Sequence, residues 1–239
     1  MHEWLSRTEL IVKPEGIDKL SAANVLVMGL GGVGAYAAEL TARAGVGKMT
    51  IIDGDTVTVT NINRQLPATV SNLGKSKAEI MEARIKDINP DIKLNAVSRY
   101  MEESDMAELI VNGNFDIVID AIDTLAPKIN LIAACKQNGT DIISSMGAGG
   151  RVDPSAVKYA DISKTERCAL ARAVRKGLRD KGIKSGIMTV FSNEEVPSEY
   201  VIPTQERNKR STVGTVSYLP ATFGCYLAAY AIRRITGLW

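Results

Sequence analysis

The sequence contains few of the side chains that most often carry zinc or proton-transfer chemistry. Its single histidine, His2, lies beside the amino terminus, and we expect it to play no catalytic part. The three cysteines, Cys135, Cys168 and Cys225, form no Cys-x-x-Cys pair. This excludes a paired-thiolate zinc site and argues against a disulfide framework. We therefore expect a protein without zinc in a reducing, cytoplasmic compartment.

Long apolar runs are also scarce. Residues 1–7 are polar and no apolar segment follows them, so we expect no cleavable signal peptide. One uncharged stretch, 212–232, is long enough to cross a bilayer, but it contains Gly214, Pro220 and Gly224. We interpret it as a core or dimer-interface helix that begins near Pro220, with membrane contact as the less favoured alternative.

The chain does contain a regular alternation of apolar, strand-like segments with segments of helical periodicity. This alternation predicts an α/β fold, Rossmann-like and doubly wound around a mostly parallel sheet. We expect one domain over 1–239, in which 1–150 is a nucleotide-binding core and 151–239 a carboxyl-terminal elaboration. The predicted strands cover 24–28, 49–53, 92–97, 115–121 and 140–145, and the predicted helices cover 33–44, 75–89, a short segment capped by Ser104, and a segment from Pro127 to Gly139.

A glycine-rich turn at 29–34 follows the first predicted strand and opens a helix. In a dinucleotide site, Gly29 would make the tight turn and Gly31 would let the backbone approach a phosphate. Gly34 would let the helix pack closely on the strand. Because such a turn occurs in many proteins, its glycines alone are weak support for a nucleotide site.

Acidic residues end two of the predicted strands. Asp53 lies about 20 residues after the glycines, where a carboxylate can hold ribose hydroxyl groups. Asp120 and Asp123 end the central strand, where a carboxylate can hold Mg²⁺ against phosphates. An aspartate at a strand end is also often a helix cap, so each of these residues has a purely structural alternative.

Residues 61–65, Asn-Ile-Asn-Arg-Gln, favour an enzyme that cleaves ATP over a nicotinamide enzyme. A nicotinamide site has no need of an arginine between carboxamides just past its ribose-binding acid. Cleavage of ATP between the α and β phosphates requires cations that neutralise the leaving pyrophosphate, and Arg64 can supply one of them.

These motifs, in this order and spacing over roughly the first 150 residues, resemble the ubiquitin-activating-like MoeB/ThiF/HesA family of adenylating enzymes. The resemblance implies ATP-dependent adenylation of a carboxylate. It also implies a homodimer in which Arg7 reaches the partner subunit's ATP, while Asp123 binds Mg²⁺. By position, Gly32 and Asp53 would contact the adenosine, Asn61, Arg64, Gln65 and Lys77 would contact the phosphates, and Gly29, Gly31, Gly34, Asp55 and Asn63 would complete the nucleotide site.

The second half of the chain resembles the tRNA threonylcarbamoyladenosine dehydratase branch of this family, through 147–154, 161–165, 190–194 and 221–224. That branch activates the carboxylate of a threonylcarbamoyl group on a tRNA adenosine, which then closes into a ring and expels AMP. The resemblance implies that 151–239 binds tRNA and contributes to the dimer. A monovalent cation, Na⁺ or K⁺, and a sulfur-transfer protein are further candidates for binding.

Charge is distributed in agreement with a polyanionic partner. Residues 1–150 have a net charge of −5, whereas 164–210 have a net charge of +5. Leu170, Val174 and Leu178 form an apolar stripe at helical spacing within this basic segment. We predict RNA-backbone contacts from the remaining surface of that helix, with a merely solvated face as the alternative. The candidate contacts are Arg172, Arg175, Lys176 and Arg179 on the helix, extended by Arg207, Lys209 and Arg210 if their loop folds over the mouth of the ATP site.

Three functions remain open at this point. The first is the tRNA cyclisation, which needs no external nucleophile. Some members of that branch have a cysteine near position 209, where this chain has lysine, and Cys168 beside Arg167 is the alternative thiol. The second function is adenylation of the carboxyl-terminal glycine of a ubiquitin-like sulfur carrier. The third is a non-catalytic dinucleotide-binding module, against which Arg64 and Lys77 argue.

Overall fold

The computed structural model describes residues 3–204 and 211–238. Its central feature is a seven-stranded sheet with the order β3-β2-β1-β4-β5-β7-β6, in which only β6 runs antiparallel to its neighbour. The chain winds outward from β1 in one direction and then returns to add β4 on the other side. The predicted α/β, mostly parallel fold is confirmed. The strands are β1 (Asn24–Met28), β2 (Lys48–Ile52), β3 (Lys93–Val97), β4 (Ile117–Asp120), β5 (Ile142–Ser145), β6 (Val157–Asp161) and β7 (Met188–Ser192).

Helices cover both faces of this sheet. The central strands carry apolar side chains on each face, so both faces have to be buried. Val25 and Val27 of β1 belong to one buried cluster, and Leu26 and Met28 to the other. The first cluster includes residues of α1, α2, α3 and α7, and the second includes residues of α4, α5 and α6. The helices are α1 (Ser6–Ala22), α2 (Gly34–Arg43), α3 (Lys77–Ile88), α4 (Glu103–Gly113), α5 (Leu125–Asn138), α6 (Ala169–Asp180) and α7 (Tyr218–Thr236).

Three elements of the sheet layers have no counterpart among the predicted ones. Helix α1 is interrupted at Lys13, which has a φ of 65° and precedes Pro14, so its apolar residues do not follow one continuous helical stripe. Strands β6 and β7 lie in the segment interpreted only as an elaboration, and they extend the same sheet beyond β5. A separate short hairpin pairs β8 (Val201–Pro203) with β9 (Ser211–Val213).

The uncharged stretch near the carboxyl terminus forms most of α7, which packs against α2 and the sheet. Leu219, Phe223 and Leu227 are fully buried in the core. A Cβ atom at Gly224 would lie 2.5 Å from the carbonyl oxygen of Val33, so this glycine permits the close crossing of the two helices. Among the described residues, none of the helices combines the length and apolar character that a membrane span requires.

Candidate active site

The glycine turn lies at the carboxyl edge of the sheet and has the conformation that the motif predicts. Gly29 has a φ of 90°, and its N–H donates to the carbonyl of Ile52 at 2.8 Å. A Cβ atom at Gly29 would lie 2.8 Å from the carbonyl oxygen of Ala121. A Cβ atom at Gly34 would lie only 1.8 Å from the Gly29 carbonyl oxygen. Neither position therefore accepts a side chain, and the turn brings β1, β2 and β4 together.

Asp53 follows β2 and is bound to the glycine turn itself. One carboxylate oxygen accepts the N–H of Leu30 at 2.6 Å, and the other accepts the N–H of Asp55 at 2.8 Å. Burial raises the pKa of Asp53 above its ordinary value, although the positive charge of Lys77 and these two N–H groups act in the opposite direction. The carboxylate is thus fixed beside the turn, where the sequence analysis expects a ribose.

Lys77, the first residue of α3, is almost completely buried, and its positive charge acts on Asp53. Its ammonium nitrogen lies 2.7 Å from Asp55 Oδ2, with 4% of the lysine side chain and 49% of the aspartate side chain exposed. The hydroxyl of Tyr100, on the loop after β3, donates to the other Asp55 oxygen. A Cβ atom at Gly54 would lie 2.7 Å from the Tyr100 ring, so the ring packs directly on the loop after β2. Tyr100 belongs to no motif of the sequence, and its position just after the edge strand β3 is the only signal of its role.

Arg64 lies on the loop that carries the Asn-x-Asn-Arg-Gln run. Its guanidinium donates to the carbonyl of Thr60 at 2.7 Å and to Asn63 Oδ1 at 2.9 Å. Partial burial lowers the pKa of Arg64, and the negative charge of Asp123 acts in the opposite direction. Arg64 and Asp123 therefore act on each other at this edge of the sheet. The amide of Asn63 connects this loop to the segment before α7, because it donates to the Thr215 carbonyl at 2.9 Å. Asn61, at the start of the same run, is buried.

Gln65 provides a buried polar atom without a hydrogen-bond partner in the described part of the chain. Its Oε1 is buried and makes no hydrogen bond with the described residues. A Cβ atom at Gly31 would lie 3.7 Å from Gln65 Nε2, and one at Gly32 would lie 3.3 Å from the Arg64 carbonyl oxygen. The turn and the Gln65 loop thus face each other across a space that side chains at Gly31 and Gly32 would narrow. A nucleotide that donates a hydrogen bond would satisfy Oε1.

The two strand-end aspartates of β4 differ sharply in accessibility. Asp120 is fully buried, and its Oδ2 bonds the ammonium of Lys128 at 2.6 Å and the hydroxyl of Ser144. Its Oδ1 accepts the N–H of Ile122 at 3.0 Å. Asp123 is exposed on the loop that follows. Asp120 is therefore committed to holding the β4 loop, and Lys128, which the sequence analysis did not single out, is its buried partner.

Arg7 is exposed in the first turn of α1, two residues after the buried Leu5. Nearby Leu5 packs against Gly45, where a Cβ atom would lie 2.7 Å from Leu5 Cδ1. Gly45 follows the end of α2 that is remote from the glycine turn. The structure describes no group of three or more potential ligands that could hold a metal among residues 3–204 and 211–238.

The basic helix α6 lies on α5 with Ala171, Val174 and Leu178 buried. Arg172, Lys176 and Arg179 are exposed. Arg175 differs from the other three predicted contacts on α6. Its guanidinium donates to the Thr165 carbonyl at 2.9 Å and to the Thr165 hydroxyl. It is therefore engaged by its own chain. Arg207, Lys209 and Arg210 fall outside the described residues.

The three cysteines have different environments. Cys135 is fully buried, and desolvation raises the pKa of its thiol to about 12. Cys168 is 4% exposed, and its sulfur accepts the N–H of Ala171 at 3.5 Å as the cap of α6. Cys135 and Cys225 both lie in apolar helical patterns of the sequence, which predict core positions, and this prediction is wrong for Cys225, which is exposed on α7.

A sequence model described as the ThiF family matches residues 5–238, and the chain belongs to that family. The predicted family resemblance is confirmed. The chain is 43% identical over 194 residues to the tRNA threonylcarbamoyladenosine dehydratase of Bacillus subtilis, covering 81% of this chain and 76% of that protein. It is 37% identical over 253 aligned positions to the protein of the same name from Escherichia coli, covering 97% and 94% of the two chains.

The solved structures agree with the sequence comparison. The crystal structure of the Escherichia coli tRNA N6-threonylcarbamoyladenosine dehydratase, TcdA, in complex with ATP matches this chain with a TM-score of 0.87 at 33% identity. The match covers 98% of this chain and 93% of the other. A molybdopterin-synthase adenylyltransferase of Haemophilus influenzae is 32% identical over 173 residues, covering 69% of this chain and 70% of that protein.

Proposed function

We propose that this chain adenylates the carboxylate of a threonylcarbamoyl group on a tRNA adenosine and then releases AMP as the group closes into a ring. The observation that carries the proposal is the arrangement of Arg64, Lys77 and Asp123 around one glycine turn, in a chain similar along nearly its whole length to dehydratases of this name. The structure of one of them in complex with ATP supports the choice of nucleotide.

The residues around the turn fit ATP in their chemistry. The N–H groups of the turn and the start of α2 favour phosphate. Asp53 is fixed where it can accept hydrogen bonds from ribose hydroxyls, and the unpartnered Oε1 of Gln65 can accept one from the nucleotide. Arg64 and Lys77 would stabilise the charge that develops on pyrophosphate as it leaves. Mg²⁺, held by the exposed Asp123, would neutralise phosphate charge when it is bound.

The reaction requires little from the protein besides positioning and charge. The substrate carboxylate is already ionised, so its oxygen attacks the α-phosphorus while the bond to the β-phosphate oxygen breaks. The carbamoyl oxygen or nitrogen of the same threonylcarbamoyl group then attacks the acyl carbon, AMP leaves with the bonding electrons, and a carbamoyl N–H proton passes to solvent. Because this attack is intramolecular, no thiol is needed. The burial of Cys135 and Cys168 is consistent with such a mechanism.

The tRNA backbone would be bound by the exposed side of α6. Arg172, Lys176 and Arg179 are the described residues suited to this, and Arg207, Lys209 and Arg210 remain predicted contacts. Such contacts position a nucleic acid without reading its sequence. We exclude Arg175 from this set, because its guanidinium is occupied by the buried Thr165.

We further propose a cytoplasmic homodimer. Leu5, two residues before Arg7, packs on Gly45 at the end of α2 that is remote from the glycine turn, which supports a role for Arg7 at the nucleotide of a second copy. Leu10 and Ile11, on the same part of α1, are 75% and 70% exposed, as expected for residues that a partner covers. A monovalent cation and a sulfur-transfer partner remain predictions of the resemblance.

The proposal is tested by incubating the purified chain with ATP, Mg²⁺ and tRNA that carries threonylcarbamoyladenosine. We expect AMP formation that depends on this tRNA, and loss of one water from the modified nucleoside, measured by mass spectrometry. Unmodified tRNA is the control. AMP or pyrophosphate exchange with a ubiquitin-like sulfur carrier instead of tRNA would establish the alternative adenylation. Binding of ATP without either reaction would indicate a non-catalytic module.

A further inference from the structure

Arg151 is a buried cation in the loop at 147–153, which follows β5. Only 3% of the residue is exposed. Its Nη1 donates to the carbonyls of Gly147 at 2.7 Å and Gly149 at 3.1 Å, and its Nη2 donates to the carbonyl of Arg167 at 3.1 Å. Its Nε is buried and has no hydrogen-bond partner in the described part of the chain. Burying a cation is costly, and the three carbonyls that accept its hydrogen bonds offset part of this cost.

The carbonyls that Arg151 bonds belong to two different segments. Gly147 and Gly149 lie in the loop at the carboxyl edge of the sheet, whereas Arg167 immediately precedes α6. Arg167 has a φ of 51°, an unfavourable conformation for a side chain of its size, so the chain needs a support there. Cys168, the next residue, caps α6, and a Cβ atom at Gly147 would lie 3.6 Å from its sulfur. Arg151 thus joins the start of α6 to the loop after β5.

The same loop also receives the other carboxyl-terminal segments. The carboxylate of Glu194, just after β7, accepts the N–H groups of Val152 and Asp153 at 3.0 Å. The N–H of Gly150 donates to the Gly214 carbonyl at 2.7 Å, immediately after the β8–β9 hairpin. The loop at 147–153 is therefore the place where the elements added after β5 are attached to the edge that carries the nucleotide site.

We infer that Arg151 is a positioning residue that fixes the start of α6 against the carboxyl edge of the sheet. This inference rests on the proposed function, in which α6 binds the tRNA backbone while the reacting carboxylate must reach the α-phosphate of ATP. Arg151 would keep these two sites at a constant separation. Because the nucleotide residues lie on loops after β1, β2 and β4, loss of Arg151 should impair the use of tRNA and leave ATP binding unchanged.

The three cysteines provide a direct measurement of this anchoring. Cys168 lies at the start of α6, Cys135 is buried in α5, and Cys225 is exposed. In Arg151→Met, alkylation of Cys168 by iodoacetamide should be faster by about tenfold to a hundredfold, because the hydrogen bonds that hold Arg167 are lost. Alkylation of Cys135 should not change. Arg84→Met, which removes an exposed arginine from α3, is the control variant and should leave all three thiols as they are.

Kinetic measurements then separate this inference from the proposed function. In Arg151→Met the KM for tRNA should rise about tenfold, while the Kd for ATP stays within about twofold of the original value. Arg151→Lys keeps the charge without the planar guanidinium, so its KM for tRNA should lie between those of Arg151→Met and the original chain. If Arg151→Met fails to fold, the KM for tRNA and the Kd for ATP are compared in Arg151→Lys instead. Unchanged Cys168 labelling, parallel labelling of Cys135, or an unchanged KM for tRNA would overturn the positioning role. If the original chain forms no AMP with tRNA, the proposed function fails, and the labelling alone still decides whether Arg151 anchors α6.

Discussion

Replacing Asp55 with asparagine tests whether this carboxylate acts on the reaction through Lys77. By its position in the sequence, Asp55 is predicted to belong to the nucleotide site. In the structure its carboxylate bonds the buried Lys77 ammonium at 2.7 Å and accepts the Tyr100 hydroxyl. The backbone N–H of Lys77 also donates to the Asp55 carbonyl at 3.1 Å. We therefore expect Asp55 to orient the lysine for the phosphates.

The expected magnitudes follow from this geometry. Loss of Lys77 removes a preorganised cation, which should slow AMP formation by about 10²–10³-fold. Asp55→Asn retains the size of the side chain but leaves a neutral hydrogen bond where a charge-assisted one existed, which should cost about tenfold. In a Lys77→Met background the same change should have no further effect, so the two residues should be coupled by about 1.4 kcal/mol.

The assay is AMP formation in a single turnover, with the Kd for ATP measured separately by calorimetry. Glu82→Gln is the control variant, since Glu82 pairs with Lys86 on an exposed part of the same helix α3 and should have no effect. If Asp55→Asn slows Lys77→Met by the same factor as it slows the original enzyme, Asp55 acts on ATP directly and the positioning role is refuted.

Three further predictions concern the phosphate, metal and tRNA contacts. Arg64→Ala should slow AMP formation by about two to three powers of ten with folding intact, and near-normal turnover would remove Arg64 from the site. Asp123→Asn should give a folded protein with a weak response of turnover to added Mg²⁺, and an unchanged Mg²⁺ titration would contradict its role. Arg172→Ala combined with Arg179→Ala should reduce the slope of tRNA affinity against salt by about two units. Arg175→Ala should leave that slope unchanged but lower the Tm, so an equal loss of slope in both variants would contradict the assignment of α6.

The central elements could be predicted because their sequence signals are local. Strand β1 is a short apolar run between a helix and a glycine turn, and the prediction of 24–28 matches Asn24–Met28. The end of α5 is predicted by Gly139, which adopts a φ of 73°. By contrast, the prediction of 115–121 overestimates β4, which covers Ile117–Asp120, because apolar residues flank the paired segment.

The candidate site was predictable in composition but not in the partners of each side chain. The motif Asp120-x-x-Asp123 supplies two acids at one strand end, and only the fold shows that Lys128 and Ser144 occupy the first. Arg175 offered a local signal that the analysis overlooked. It lies four residues after Ala171 and three before Leu178, so it borders the buried stripe of α6 instead of its exposed side.

The strand order explains why the proposed sites for nucleotide and tRNA would be separate and yet adjacent. Strand β4 stands at the centre of the order β3-β2-β1-β4-β5-β7-β6. The loops after β1 and β2, on one side of it, carry the glycine turn and Asp53, whereas the loop after β5, on the other side, carries Arg151 and the anchor of α6. ATP bound by the loops after β1 and β2, and attacked by a carboxylate that approaches from the β5 side, would have its α-phosphate over the end of β4. Asp123 is the exposed carboxylate at that position, and we therefore expect it to lie nearer than any other described acid to the reacting α-phosphate.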